Sequence, residues 1–585
     1  MFKLAYKNLN KFVVFLAIFC LFFQVAADLI LPSITANIVN IGVVKHDISY
    51  IWKTGLVMLI VSFFGIVGAI CNQLLAATSS QKLGVKLRSF MFRKVTKMAD
   101  GDFEKLGQAS LITRTTNDVV QMQNATYSML RMMIRSPMML IGASVMAYFK
   151  SPRLMLVFAA AMPVLALVVI LVMTKSVPLF KKIQALTDQI NLVFREGLTG
   201  VRVIRAFNQD EFEQNRFKKA NINLTQNAIN AYVITSLMSP AMTFIISASN
   251  IAIVWFGAHL IAGSLMPVGN LLSFITYATQ MLFSFMQLSM IFVVVPRAQA
   301  SAQRIQQVLD IKDTINDPIK PKKLDPIDDL KFSHVDFTFS GSSKKVLDDI
   351  NFEIHKGQTL AIIGGTGSGK SSLINFVPRL FDVSGGKVLI NGDDVRDFSQ
   401  SDLHKHISFT SQKSFLFEGT VRSNLKYGNS QASEQDMNRA LEIAQANSFI
   451  QEQGGLDAPV EQGGNNFSGG QIQRLSIARA VIKRADIYIF DDTFSALDFK
   501  TDANLRQALS EDKKIKNAIK IIVAQRVSTV ADADQILVLE DGKISGLGTH
   551  QELLKNNSIY KEIVDSQLHK NDILILAKSG GKIYA

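Results

Sequence analysis

Cysteine is almost absent: 585 residues contain two, Cys20 and Cys71, both inside apolar segments. That scarcity excludes a disulfide-stapled scaffold. Neither spacing nor context fits a metal site, so both read as small core residues. Acidic side chains fall short of basic ones, 48 against 62, for a formal net charge of +14. Such an excess can mark a nucleic-acid binder, but here lysine and arginine cluster between apolar segments, as in the inner loops of a membrane protein. No nucleic-acid partner is expected. A small-residue cleavage pattern is missing after the N-terminal stretch MFKLAYKNLNKF, so the first apolar run reads as an uncleaved helix. No peptidase-like extension precedes that helix, which argues against a peptide-processing role.

What is present is apolar sequence: 48% hydrophobic residues and a mean hydropathy of +0.22, with the excess in the first half. Six runs, near 13–40, 51–78, 132–149, 154–175, 236–262 and 270–296, can each cross a bilayer, which takes about 20 helical residues. Prolines at 32, 137, 163 and 240 are tolerated in such helices. The segments 80–130 and 176–235 are rich in lysine and arginine, whereas 41–50, 150–153 and 263–269 are short and poor in positive charge. Both termini and both long loops are therefore expected in the cytoplasm, with Trp52 and Trp255 toward the outer interface. The long loops continue a helical pattern, so the membrane helices are expected to extend as stalks.

The chain is too long for one core. It reads as a multidomain protein: an all-α six-helix transmembrane domain (1–305), a linker (306–327) containing DIKDTINDPIKPKKLDP, and an α/β phosphate-loop nucleotide-binding domain (328–567). The tail 568–585 carries no assignable role.

Residues 358–372 read QTLAIIGGTGSGKSS. An apolar strand leads into Gly364, Gly365, Thr366, Gly367, Ser368, Gly369, Lys370 and Ser371, followed by Ser372 at the start of a helix. Glycines let successive backbone N–H groups turn inward at phosphate oxygens, and the helix N-terminus adds partial positive charge. Lys370 reaches the outer phosphates, and the Ser371 hydroxyl suits Mg²⁺. Downstream, Asp491 ends the apolar strand DIYIF, where a carboxylate can hold Mg²⁺ through water. ATP with Mg²⁺ is the expected ligand.

Further motifs narrow the class. FSGGQIQR (467–474), with Ser468, Gly469, Gly470 and Gln471, resembles the signature of ATP-binding cassette (ABC) proteins. Gln412 in ISFTSQKSFLF resembles the Q-loop glutamine, which the family uses to sense Mg²⁺, and SALD (495–498) resembles the D-loop. Phe339 falls where the family stacks an aromatic ring on adenine. EGLTGVRVIRAFNQDEFE (196–213) is similar to the second cytoplasmic loop of ABC exporters. The resemblance covers nearly the whole chain. It implies a half-transporter in the cell membrane of a bacterium, with two cassettes meeting head to tail so that each ATP lies between one chain's phosphate loop and the other chain's signature.

Two positions depart from the family pattern. The family's hydrolytic members carry glutamate after the strand-end aspartate; here the residue is Asp492. Its carboxylate reaches about 1.5 Å less, and misplacement on the order of 1 Å can slow chemistry 10²-fold. The family's switch histidine is Gln525 in IIVAQRVST, and an amide cannot carry a proton. The resemblance therefore points to the degenerate subunit of a heterodimeric multidrug exporter, whose partner supplies glutamate and histidine. Alternatives are a slow homodimeric exporter, a lipid or lipopolysaccharide flippase, an importer on the same fold, and a non-transporting membrane ATP sensor.

Substrate signals are fewer. Asp28, in FQVAADLILPSI, is ionisable inside the first span; it is either a contact for cationic substrates or an interhelical partner. Met281, Met286 and Met290, with Phe283, Phe285, Gln280 and Gln287, crowd the sixth helix, as either hydrophobic ligand contacts or ordinary packing. A hydrophobic small molecule is the expected cargo.

Overall fold

The computed structural model describes residues 2–567 except 290, 312–313 and 340–341; Met290 and the tail 568–585 lie outside the described residues. The chain divides into two compact units, one of 1–96 with 108–311 and one of 97–107 with 312–585.

The first unit is built from six long apolar helices, α1 (Lys11–Val43), α2 (Ile48–Val95), α3 (Gln108–Lys150), α4 (Met155–Thr199), α5 (Asp210–Ala262) and α6 (Val268–Leu288), each long and apolar enough to cross a membrane. A seventh, α7 (Ile291–Asp310), follows. Local chemistry sets their starts. The Asn10 side chain accepts from the Phe12 N–H at 3.0 Å, and Asp47 caps α2 through the Tyr50 N–H at 2.9 Å. The apolar run 132–149 is only the far end of α3; the polar stretch before it is helical too, through π turns at Arg114–Asp118 and Met129–Met133. Helix α7 continues through residues expected in the linker, because Ile305 and Val308 are buried on its inner face.

Without a hydrophobic driving force inside lipid, helices pair through small residues and polar contacts. A Cβ on Gly68 of α2 would stand 2.9 Å from the Cys20 carbonyl oxygen of α1, so the helices meet there only because that residue is glycine. One turn on, the Asn72 amide donates to the Ala17 carbonyl at 2.8 Å. Both cysteines are free thiols. Asp118 of α3, nearly buried, accepts from Ser301 at 2.8 Å and from Arg304 Nε at 2.7 Å, both on α7.

The second unit is an α/β domain. Strands β1 (Asp329–Phe337), β2 (Leu347–His355) and β4 (Gly385–Ile390) form an antiparallel sheet in the order β2-β1-β4. The main sheet has β3 (Thr359–Gly364), β5 (Ile407–Thr410), β6 (Ile487–Asp491), β7 (Ile519–Val523), β8 (Gln535–Glu540) and β9 (Lys543–Gly548), in the order β9-β8-β3-β7-β6-β5. All neighbours are parallel except β8 and β9. Both faces of the inner strands are covered, which is why β3, β6, β7 and β8 read as near-continuous apolar runs. Leu360, Ile362, Ile487 and Ile489 pack into one core, and the alternate residues Ala361, Ile363, Tyr488 and Phe490 into the other. In such a sheet ligands bind beyond the carboxyl ends of the strands, where β3 and β6 deliver the phosphate loop and Asp491.

The segment 97–107, which lies between two membrane helices in sequence, groups with this second unit. Its short helix Asp100–Leu106 places Asp102 to accept from the Thr314 hydroxyl at 3.4 Å.

Candidate nucleotide site

Beyond the end of β3 the chain can turn only through glycine. A Cβ on Gly364 would lie 2.1 Å from the Leu539 carbonyl oxygen of the adjacent strand, and Gly369 has φ +101. The next helix, α8, is Lys370–Asn375. Lys370 Nζ folds back to donate to the Gly364 and Gly365 carbonyls at 2.9 and 2.7 Å. Burial pushes this ammonium below the ordinary lysine range, opposed by the carboxylates of Asp492 and Asp491. A bound phosphate would offer it stronger, charge-assisted partners than these neutral carbonyls.

Asp491 is buried at the end of β6. Burial raises its carboxyl above the ordinary range, while a hydrogen bond from Ser371 Oγ, at 3.2 Å, pulls the other way. Ser371, Asp491 and the Gln412 side chain are hard oxygen donors meeting at one cavity of about 340 Å³, so they fit Mg²⁺ beside a polyphosphate. Thr366, Gly367, Gly369, Lys370, Ser372, Phe339 and Val346 line the same cavity. Phe339 is 39% exposed, and its ring is braced edge-on by Phe337 and Phe381, at 4.8 and 5.9 Å, which suits it to stack on a base.

The two unusual residues contact each other. Gln525 Nε2 donates to Asp492 Oδ2 at 2.8 Å, and Gln412 Nε2 approaches the same oxygen at 3.3 Å. Asp492 also has φ +48, a left-handed backbone that aspartate tolerates better than longer residues. Its N–H donates to the Val523 carbonyl at 3.0 Å, tying it to the neighbouring strand.

The signature lies elsewhere on the domain. Ser468 caps helix α9 (Gly469–Val481) in a reciprocal box: its hydroxyl accepts from the Gln471 N–H at 3.4 Å, and the Gln471 side chain accepts from the Ser468 N–H at 2.9 Å. Ser468 and Gly469 are exposed, and a Cβ on Gly469 would meet no atom within 4 Å. In the first unit, Asp28 forms an ion pair with Arg135 at 3.0 Å. Met281 is buried, while Phe285 and Met286 pack against the core containing Leu282 and Ile245, as in ordinary helix packing.

Sequence reasoning missed three contributors. Arg526 donates to the Leu497 and Ser495 carbonyls at 2.9 and 2.8 Å, holding the D-loop. Its place next to Gln525 was the available signal. Gln567, at the end of helix α10 (Ser558–Gln567), donates to the Gln525 carbonyl at 2.7 Å and accepts from the Val527 N–H at 2.8 Å. Nothing local in the sequence marks it. Arg135 carried no mark beyond being the one basic residue of the apolar run 132–149.

Comparison with known proteins agrees with this geometry. Residues 14–285 match the family model described as ABC transporter transmembrane region, and residues 347–495 match that described as ABC transporter. The chain is 39% identical over 548 residues to the uncharacterized ABC transporter ATP-binding protein Rv1273c of Mycobacterium tuberculosis, covering 92% of this chain and 93% of that one. It is 30% identical over 525 residues to the ATP-dependent lipid A-core flippase of Hahella chejuensis, covering 88% of each. Among solved structures, a bacterial Atm1-family ABC exporter with ATP bound superposes with a TM-score of 0.79 at 22% identity, over 96% of this chain and 100% of that one, a likeness of fold. With six apolar helices and a nucleotide-binding domain on one polypeptide, the chain belongs to the ABC transporters and has the exporter-type fold.

Proposed function

We propose that this chain is one half of an ATP-driven exporter of hydrophobic or amphipathic compounds, paired with a second half-transporter that carries glutamate and histidine where this chain has Asp492 and Gln525. Its own site holds ATP and breaks it slowly. Its exposed signature, Ser468 to Gln471, completes the partner's hydrolytic site.

The observation that carries this reading is the hydrogen bond from Gln525 Nε2 to the Asp492 carboxylate, at 2.8 Å. A general base must have a free oxygen within reach of the water it deprotonates. Here Asp492 Oδ2 is engaged by two amides, which leaves only Oδ1 for a water, and the side chain is one methylene short. Binding is otherwise provided for: loop N–H groups and Lys370 take the phosphates, and Phe339 takes the adenine. Ser371, Asp491 and Gln412 would hold Mg²⁺, which neutralises phosphate charge when bound. Closing two cassettes over ATP would turn nucleotide binding into rearrangement of the membrane helices.

ATPase activity in lipid vesicles tests the proposal. The chain alone should turn over well below ~1 s⁻¹. Replacing Asp492→Glu and Gln525→His together should raise turnover at this site by ~10-fold or more. Brisk hydrolysis by the unaltered chain alone would replace the division of labour with a homodimer. A lipid flippase is the second reading, favoured by the relative that bears that name. Fluorescent-lipid flipping against dye efflux, in vesicles holding both subunits, separates the two.

A further inference from the structure

Asp28 and Arg135 form their ion pair in the apolar stretches of α1 and α3, with Arg135 and Asp28 side chains 34% and 31% exposed. At ~1.5 Å per residue they lie about 20 Å from the helix ends at Val43 and Lys150, inside the ~30 Å hydrocarbon thickness. Ionisable groups at such depth face a cavity or a partner. Gln280 of α6 donates to the Asp28 carbonyl at 3.1 Å, which brings the third helix to the same level. Phe283, nearly one turn along α6, is 47% exposed.

The charges around the pair are not balanced. Asp28 is the one acidic residue in the apolar runs of this unit. Arg131 stands one helical turn before Arg135, is exposed, and is bonded to the Tyr127 hydroxyl at 2.9 Å with no carboxylate partner among the described residues. Arg135 Nε is buried without a partner. Of these two guanidinium groups, only Arg135 has a carboxylate partner among the described residues. An arriving cation finds Asp28 already engaged and two positive neighbours. An arriving anion finds Arg131 open and can displace Asp28 from Arg135, exchanging one carboxylate for a bidentate acidic ligand.

We propose that Arg135 and Arg131, with Asp28 as displaceable counter-ion and Phe283 as an apolar platform, recognise the acidic headgroup of an amphiphile. This reverses the sign expected from Asp28 alone. It names a substrate class for the export reading and rests on that reading for transport, though not for binding.

Native mass spectrometry of the detergent-solubilised full chain, offered phosphatidylglycerol, phosphatidylcholine, dodecyl phosphate and dodecyltrimethylammonium, tests the site. Retention of an acidic ligand should exceed that of its zwitterionic or cationic counterpart about five-fold, as charge-assisted pairing predicts. Arg135→Gln and the exposed Arg131→Gln should each lower that preference at least three-fold, Arg135→Lys should keep part of it, and Asp28→Asn should raise it. Phosphatidylglycerol retained assigns a lipid headgroup; dodecyl phosphate alone assigns a single-chain acid; either supports the site. Preferred retention of the cation, or a preference that neither Arg131→Gln nor Asp28→Asn moves, overturns it. In vesicles holding both subunits, ATP-driven uptake of ethidium but of no acidic probe also overturns it while leaving export standing. The expected binding preference without ATP-driven movement of any probe leaves the site standing and removes export.

Discussion

The phosphate loop and the signature use the same device and end in opposite conditions. Each is a glycine-rich turn feeding a helix N-terminus, α8 in one case and α9 in the other. Around the first, a lysine, two carboxylates, two glutamines and an aromatic ring converge on one cavity. Around the second, the helix is capped by its own Ser468 and Gln471, and Gly469 faces open space. One end opens on a cavity lined for nucleotide; the other faces open space and, on the proposed reading, completes a nucleotide site held by another chain. The difference teaches that binding and completion are separate roles on this domain. On the proposed reading, Asp492 and Gln525 then separate binding from cleavage.

The comparison breaks most directly at Lys370. Lys370→Ala should weaken ATP binding by this chain ~100-fold, about 3 kcal/mol for a lost charged contact, measured by nucleotide titration. Hydrolysis at the partner's site should survive, because the signature is untouched. Gly469→Asp addresses the other end. A carboxylate placed against a phosphate bound by the partner should cut the pair's ATPase rate at least ~10-fold, with nucleotide affinity of the isolated chain unchanged. If affinity falls as well, the two roles are not separate.

Asp492→Glu alone is a smaller probe. With φ +48 at that position, the longer side chain should cost about 1 kcal/mol and lower the melting temperature by a few degrees. Smallest is a pH effect at His550, which bonds to the Tyr560 hydroxyl at 2.7 Å and which burial holds below the ordinary histidine range. The unfolded chain takes up its proton first as pH falls through about 6.5, so stability should drop between about 7.5 and 5.5. A His550→Gln variant should show a flatter melting-temperature profile over that window.

Much of this was legible because strong constraints leave strong marks. Apolar runs of bilayer length and a glycine-rich turn between strand and helix each have few alternative readings. The extension of the membrane helices as stalks was legible from the helical pattern of the long loops, and α3 runs on as one helix through its polar stretch 108–131; its π turns were not legible. The pairing of Asp492 with Gln525 could be expected from two odd residues in one site; their direct hydrogen bond and the left-handed backbone at 492 could not, because no residue type dictates them. Gln567 was invisible for a further reason: it acts through backbone groups of residues about forty positions away. Asp28 left two readings open in the sequence because its partner, Arg135, lies 107 positions away and meets it only in space.

The segment 97–107 belongs by sequence to the membrane half and by contact to the ATPase. The catalytic half of this molecule is therefore not one continuous stretch of chain. A fragment beginning at Lys312 would lack the residue that Thr314 bonds, Asp102, and would leave uncovered the Phe381 ring beside Gly101. Anyone grafting this ATPase onto a foreign membrane carrier would have to transplant those eleven residues too, or the graft would lack part of its own surface.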